Sequence, residues 1–109
     1  MMDLTKKKCV PCEVGGKPLA EEKVRELFVH LRKGWKIVNG KQLEKEFEFK
    51  DFASALKFVN IVGKIAEKEG HHPDIYLSWG KVKISLWTHA VNGLTENDFI
   101  MASKVEKGK

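Results

Sequence analysis

The sequence predicts an α+β fold, a four-stranded antiparallel sheet with three helices on one face in the order α-β-β-α-β-β-α. Three observations lead there. Two pairs of segments with period-2 apolar alternation each meet at a glycine turn, Asn39-Gly40 and Gly80. Three segments with helical spacing of apolar residues precede, separate and follow those pairs. No βα alternation runs through the chain, which argues against a parallel doubly wound sheet and leaves the layered solution with helices gathered on one side.

Pro18 followed by Leu19-Ala20-Glu21-Glu22 opens the first helix, with acids in its first turn. Val24, Leu27, Phe28 and Leu31 recur at i, i+3, i+4, i+7 and form one apolar stripe; His30 lies off it, and Gly34 closes the segment. Trp35 to Val38 reads as a short strand. Asn39-Gly40 is a hairpin signal because both turn positions need positive φ. On the returning strand, Lys41 to Phe49, residues Leu43, Phe47 and Phe49 fall on one face and Glu44, Glu46 and Glu48 on the other. Such alternation marks a sheet with one buried and one solvated face. Three glutamates in a row could hold a cation, but a solvated face is the simpler reading.

The second helix runs from Asp51, as N-cap, to Glu69, with Gly70 placed to end it in the left-handed conformation. Phe52, Leu56, Val59, Val62 and Ala66 make one stripe, and Phe58, Ile61 and Ile65 widen it. A helix apolar around so much of its girth packs on two sides. The expectation is one contact with its own sheet and one with a partner, hence a homo-oligomer. In the second hairpin Ile75, Leu77 and Trp79 alternate with Asp74, Tyr76 and Ser78. Past Gly80, Val82, Ile84 and Leu86 point one way and Lys83, Ser85, Trp87 and His89 the other. Asn92-Gly93 breaks the strand. Thr95-Glu96-Asn97-Asp98 has the form of a capping box with Asp in the usual Glu position. Phe99, Ala102 and Val105 give the last helix its inner stripe.

A chain of 109 residues makes one domain, read as a flexible lead-in over 1–18 and a folded unit over 19–109. Apolar content of 42% and charged content of 32% describe a soluble globular protein. The net charge of +5 comes largely from lysines gathered at both ends; solvated tails explain them, and a nucleic-acid role is weakly signalled. No apolar run approaches the roughly 20 residues of a membrane span. The N-terminus lacks a signal-peptide pattern, so a cytoplasmic protein is expected. Cys9-Val10-Pro11-Cys12 could be half a zinc site or a redox pair. A thioredoxin-like motif needs a preceding strand and a following helix, and a tetrahedral site needs two more ligands. An accessory pair in the lead-in is the reading, with zinc shared between subunits or with a distant histidine as the alternative.

The chemistry concentrates in the histidines. His71-His72-Pro73 follows the helix-ending glycine, and Thr88-His89 ends the next strand. Histidines past a helix C-terminus can simply serve its dipole and last carbonyls. That covers His71 and His72 but not His89 or the proline. Three imidazoles near one another can divide the parts of acid, base and orienting donor at neutral pH. Neighbours in an extended segment point to opposite sides, and a residue before proline is pushed toward that geometry. His71 and His72 are therefore poorly placed to chelate one ion. No serine sits in an elbow motif, and both cysteines are in the lead-in. Proton transfer without a metal remains, as in elimination of water or isomerisation.

From Leu19 onward the chain resembles the pterin-4a-carbinolamine dehydratases. The likeness rests on Gly34-Trp35, on Phe47-x-Phe49-x-Asp51-Phe52, and on Ala66-Glu67-Lys68 ahead of His71-His72-Pro73. It continues in Val82-x-Ile84-x-Leu86-x-Thr88-His89 and in Gly93-Leu94-Thr95-x-x-Asp98 with Ala102. The resemblance implies a hydro-lyase that dehydrates a 4a-hydroxytetrahydropterin to the quinonoid dihydropterin, in tetrahydrobiopterin recycling for aromatic amino acid hydroxylases. It implies no cofactor beyond the pterin substrate and no metal. It implies His71 and His89 as the acid groups and His72 as binder or base. Trp35, Pro73, Thr88 and Asp98 match positions near the site; core packing is the plain alternative for Trp35, and helix capping for Asp98. Ala90 departs from the pattern, since many relatives carry an acid directly after Thr-His; Glu67 or Asp98 could substitute. The resemblance also implies a dimer or a dimer of dimers. A non-catalytic role as a protein-binding, assembly or transcription cofactor on the same fold is the alternative function, and a zinc enzyme using Cys9 and Cys12 a third.

Overall fold

The structure, a computed structural model, describes residues 4–7, 9 and 17–109. Its elements are α1 (Glu21–Phe28), β1 (Lys36–Val38), β2 (Gln42–Glu48), α2 (Phe52–Glu69), β3 (Asp74–Ser78), β4 (Lys81–Leu86) and α3 (Glu96–Gly108). Short 3-10 turns form at Leu4–Lys6 and His89–Val91. The strands lie in the order β1-β2-β4-β3, all antiparallel. The α+β architecture and its element order are as the sequence predicts.

The local signals act as expected. Asn39 and Gly40 both take positive φ, 53° and 68°, so the first hairpin closes in two residues. Gly80 is needed for a different reason: a Cβ there would lie 2.9 Å from the Phe49 carbonyl oxygen, which accepts no such crowding. Asp51 caps α2 by accepting from the Ser54 backbone N–H at 2.7 Å. The hydrogen bonds from Ser54 hold the Asp51 carboxyl below its usual range. Gly70 ends α2 at φ 67°, in the left-handed region where only glycine sits without penalty.

Leu43 and Phe47 of β2, with Val82, Ile84 and Leu86 of β4, form the buried face of the sheet, against α2 and α3. Three details differ from expectation. The first helix ends at Phe28, and the bonds His30 N–H to Leu27 and Leu31 N–H to Phe28 tighten its end into a turn. Leu31 still packs on the core from that turn, while Val29 faces solvent. On α2 the buried stripe is Ala55, Phe58, Val62 and Ala66, leaving Phe52 and Leu56 exposed. Trp79 stands past the end of β3, exposed in the turn, because the strand alternation stops at Ser78.

The described residues of the lead-in pack on the domain. Leu4 is buried, Lys7 Nζ lies 2.8 Å from Glu96 Oε1, and the Cys9 N–H donates to Glu69 Oε1 at 3.0 Å. The Cys9 thiol reaches the Asn97 carbonyl at 3.7 Å. Cys12 lies outside the described residues, as do Val10 and Pro11 between the two cysteines. Glu69 also accepts from Lys104 Nζ at 2.7 Å, which ties the end of α2 to α3. The Lys104 bond first, then the Cys9 N–H, holds the Glu69 carboxyl below its ordinary value. A carboxyl lowered by folding stabilises above its unfolded value, about 4.3, and that share is lost as pH falls through the folded value. Urea unfolding of Glu69→Gln beside the parent checks this. The parent is the more stable at pH 7, and the gap narrows as the pH is taken toward 3.

Candidate active site

The antiparallel register builds the site. Asp74 pairs with Ser85. Beyond that pair, His71 and Thr88 meet through one carboxylate, Asp98, which both contact. The loop after α2 and the end of β4 are therefore neighbours at one edge of the sheet, and α3 begins directly beneath them.

Asp98 is the centre of the buried part. Its side chain is fully buried, and it accepts three hydrogen bonds. His71 Nε2 lies 2.6 Å from Oδ1. Thr88 Oγ1 at 2.8 Å and the Thr95 backbone N–H at 3.0 Å share Oδ2. A carboxylate only accepts, so His71 turns Nε2–H toward Asp98, which fixes the ring and leaves Nδ1 for chemistry. Thr88 spends its one proton on Asp98; the Thr95 hydroxyl, 2.8 Å away, therefore donates to Thr88. The resulting chain, Thr95 to Thr88 to Asp98, polarises each bond in turn. Asp98 is also residue N3 of α3 and completes its capping box. The cap reading of Asp98 is thus met at Oδ2, while Oδ1 sets the same side chain against His71.

His72 faces the other way, as the alternation before Pro73 requires. Its Nε2 lies 2.5 Å from Glu67 Oε2, and both side chains are exposed. Here too the carboxylate takes the Nε2–H and leaves Nδ1 with a lone pair. His89 is exposed and stacks on the Trp87 indole, ring centroids 3.9 Å apart. Pro73 joins His72 to the first residue of β3.

Trp35 lies elsewhere. It precedes β1, three strand spacings from β3, or about 14 Å across the sheet. It is buried, edge-on to Phe47, with Nε1 donating to Glu106 at 3.0 Å. Among the described residues no group of three or more His, Cys, Asp or Glu side chains is disposed to hold a metal ion.

Residues 17–108 match the profile of the family described as pterin 4 alpha carbinolamine dehydratase. The chain belongs to that family. The match takes in all three histidines and every element of the sheet. A protein of Alkaliphilus metalliredigens, provisionally named a pterin-4-alpha-carbinolamine dehydratase, is 50% identical over 107 residues, 98% of this chain and 96% of its own. The crystal structure of a transcriptional coactivator/pterin dehydratase from Brucella melitensis is similar at a TM-score of 0.78 and 35% identity, covering 84% of this chain and 98% of that one. A pterin dehydratase-like protein identified as a RuBisCO assembly factor in the alpha-carboxysome shares the fold, with a TM-score of 0.61 and 24% identity over 71% of this chain and 90% of its own.

Within this pterin-4a-carbinolamine dehydratase fold, sequence reasoning found the three histidines, Thr88 and Asp98. It missed three members of the cluster. Thr95 was visible only as a cap. Asp74 and Trp87, joined by an indole N–H to Oδ2 contact of 3.5 Å, needed the strand register to bring them together. Glu67, named from the sequence as an acid that could substitute beside His89, is set against His72 instead. No helix among the described residues is long and apolar enough to cross a membrane.

Proposed function

We propose that the protein dehydrates 4a-hydroxytetrahydropterins to quinonoid dihydropterins, returning the pterin to aromatic amino acid hydroxylases in tetrahydrobiopterin recycling. The observation that carries this reading is the carboxylate behind each histidine of the loop, Asp98 for His71 and Glu67 for His72. In the reaction the C4a–O bond breaks while the neighbouring ring nitrogen forms the C=N bond. An acid gives its proton to the departing hydroxyl, which leaves as water, and a base takes the N–H proton. His71 and His89 serve as the acid groups. Asp98 offsets the positive charge His71 bears while doubly protonated and keeps its Nδ1 aimed outward. His72, with a free lone pair at Nδ1, is the base or the group that binds the ring. Pro73 holds the two loop histidines to opposite sides. Thr88 and Asp98 shape the floor of the site, and Trp35 would support it from across the sheet.

The same reading includes assembly into a dimer or a dimer of dimers, which the exposed Phe52 and Leu56 on α2 support. A hydroxylase generates the carbinolamine in place, and its dehydration is followed by absorbance for the parent, His72→Ala and His89→Ala. The parent accelerates dehydration, and each variant loses roughly a hundredfold or more, the size of a general acid–base contribution. A well-folded parent with no acceleration would overturn the assignment and turn attention to a protein partner at the exposed face of α2.

A further inference from the structure

Two of the three histidines are held by a carboxylate; His89 has none within hydrogen-bond distance among the described residues. Its backbone is held, the Asn92 N–H donating to the His89 carbonyl at 3.2 Å, but its side chain stands exposed. β4 ends at Leu86, and His89 opens a 3-10 turn after the single bridge between Thr88 and Gly93. An exposed imidazole at such a turn would sample several rotamers, which is a poor state for a group that must meet one atom of a substrate. The structure supplies a different restraint. The His89 ring lies on the Trp87 indole with 3.9 Å between centroids and 26° between planes. Trp87 Nε1 in turn faces Asp74 Oδ2 at 3.5 Å, a long contact open to solvent. Asp74 follows Pro73 directly, and its backbone is set by pairing with Ser85. The line from Asp74 through Trp87 to His89 therefore joins the strand-end histidine to the histidine loop.

We propose that Trp87 is a positioning residue of this site: its ring face orients His89, and its indole N–H, facing Asp74, adds a weaker bias toward the His71-His72-Pro73 loop. The proposal rests on the dehydratase reading and deepens it. Trp87 has no part in the buried Asp98 network, so its removal leaves His71 and its partners in place. A stack between a five-membered cation or its neutral form and an indole is tolerant of protonation state, whereas a carboxylate partner is not. His89 can then give up its proton without losing its placement, as a proton donor must.

Three variants separate the contributions. Trp87→Leu keeps an apolar body and loses both ring face and N–H. Trp87→Phe keeps the face and loses the N–H. Asp74→Ala loses only the acceptor. In the dehydration assay Trp87→Leu lowers kcat by about tenfold to a hundredfold, the scale of a misplacement near 1 Å, with KM changed little. Trp87→Phe recovers most of that loss, and Asp74→Ala resembles Trp87→Phe. A packing role alone would treat Leu and Phe alike and move only thermal stability. The placement is read independently of turnover by NMR of the His89 ring protons. The indole ring current shifts them upfield in the parent, and they return to free-histidine positions in Trp87→Leu. Unshifted His89 resonances in the parent, or a Trp87→Leu protein with the parent's kcat, would overturn the proposal. If the parent does not dehydrate carbinolamine, the dehydratase reading fails while the ring-current result still decides whether Trp87 holds His89.

Discussion

On the proposed dehydratase function, replacing Asp98 with alanine lowers dehydration by a hundredfold or more, and it destabilises the protein by roughly 3–5 kcal/mol. Both losses come from the same two oxygens. Oδ1 orients His71, and without it the ring is free to turn and its positive form has no counter-charge; general acid–base contributions of about 10²–10⁴ are at risk. Oδ2 satisfies the Thr88 hydroxyl and the Thr95 N–H. With the acceptor gone, a buried hydroxyl and a capping N–H are orphaned, each costing about 1–3 kcal/mol, and α3 loses half of its capping box. Asp98→Asn separates the effects. With its amide oxygen in the Oδ2 place the side chain keeps an acceptor for Thr88 and the cap but turns its NH2 toward the His71 Nε2–H, so it unfolds in less denaturant than the parent and more than Asp98→Ala. Its activity stays close to that of Asp98→Ala, since the charge beside His71 is gone. Urea unfolding and the carbinolamine assay on both variants check this. An Asp98→Ala protein with the parent's denaturant midpoint would show that the network does not stabilise α3.

The coupling of cap and site explains how legible this region was. The capping box lies within four consecutive residues and can be read locally. The His-His-Pro loop and Thr-His strand end can be read as chemistry because imidazole is rare and was clustered. What joins them is Asp98, which meets both His71 and Thr88, and no local pattern announces that shared contact. A single carboxylate serving two masters also defeats the habit of choosing between a structural and a functional explanation. The strand faces and hairpin turns were readable for the opposite reason. Period-2 alternation and the Asn39-Gly40 turn depend on neighbours only. The end of α1 was not, because Leu31 packs on the core from a turn about as well as from a helix, and an apolar stripe does not distinguish the two.

Lys45 is the residue whose role was least legible, and it carries the second large effect. Alternation puts it on the inner face of β2, between Leu43 and Phe47, where a sequence reading of apolar faces passes over it. Its amine pairs with Glu106 of α3, whose side chain is 9% exposed against 14% for Lys45. Glu106 also accepts from Trp35 Nε1, and the Lys45 amine lies 4.8 Å from the centre of the Phe47 ring. Sixty-one residues separate the partners in sequence, so the pair exists only once α3 docks on the sheet. Removing one partner of a fully buried pair leaves an uncompensated charge, which costs about 3–5 kcal/mol, whereas removing both is often close to neutral; this pair, still partly open to water, falls at or below the lower end of that range. Lys45→Met leaves Glu106 charged with only the indole N–H. Glu106→Gln leaves the Lys45 amine facing an amide oxygen and keeps an acceptor for Trp35. Each single variant is therefore destabilised, Lys45→Met by roughly 3 kcal/mol, and the double variant regains most of the loss. The interaction term from the cycle comes out near the upper end of the usual 0.5–3 kcal/mol for contacting residues. Denaturant midpoints of the four proteins measure it directly. Simple addition of the two single losses would mean that Lys45 and Glu106 do not act as a pair, and that the inner face of β2 tolerates a lysine because water reaches it. Recovery in the double variant would mean that Lys45 and Glu106 are coupled to each other, and that α3 docks on the sheet about as well with neither charge as with both.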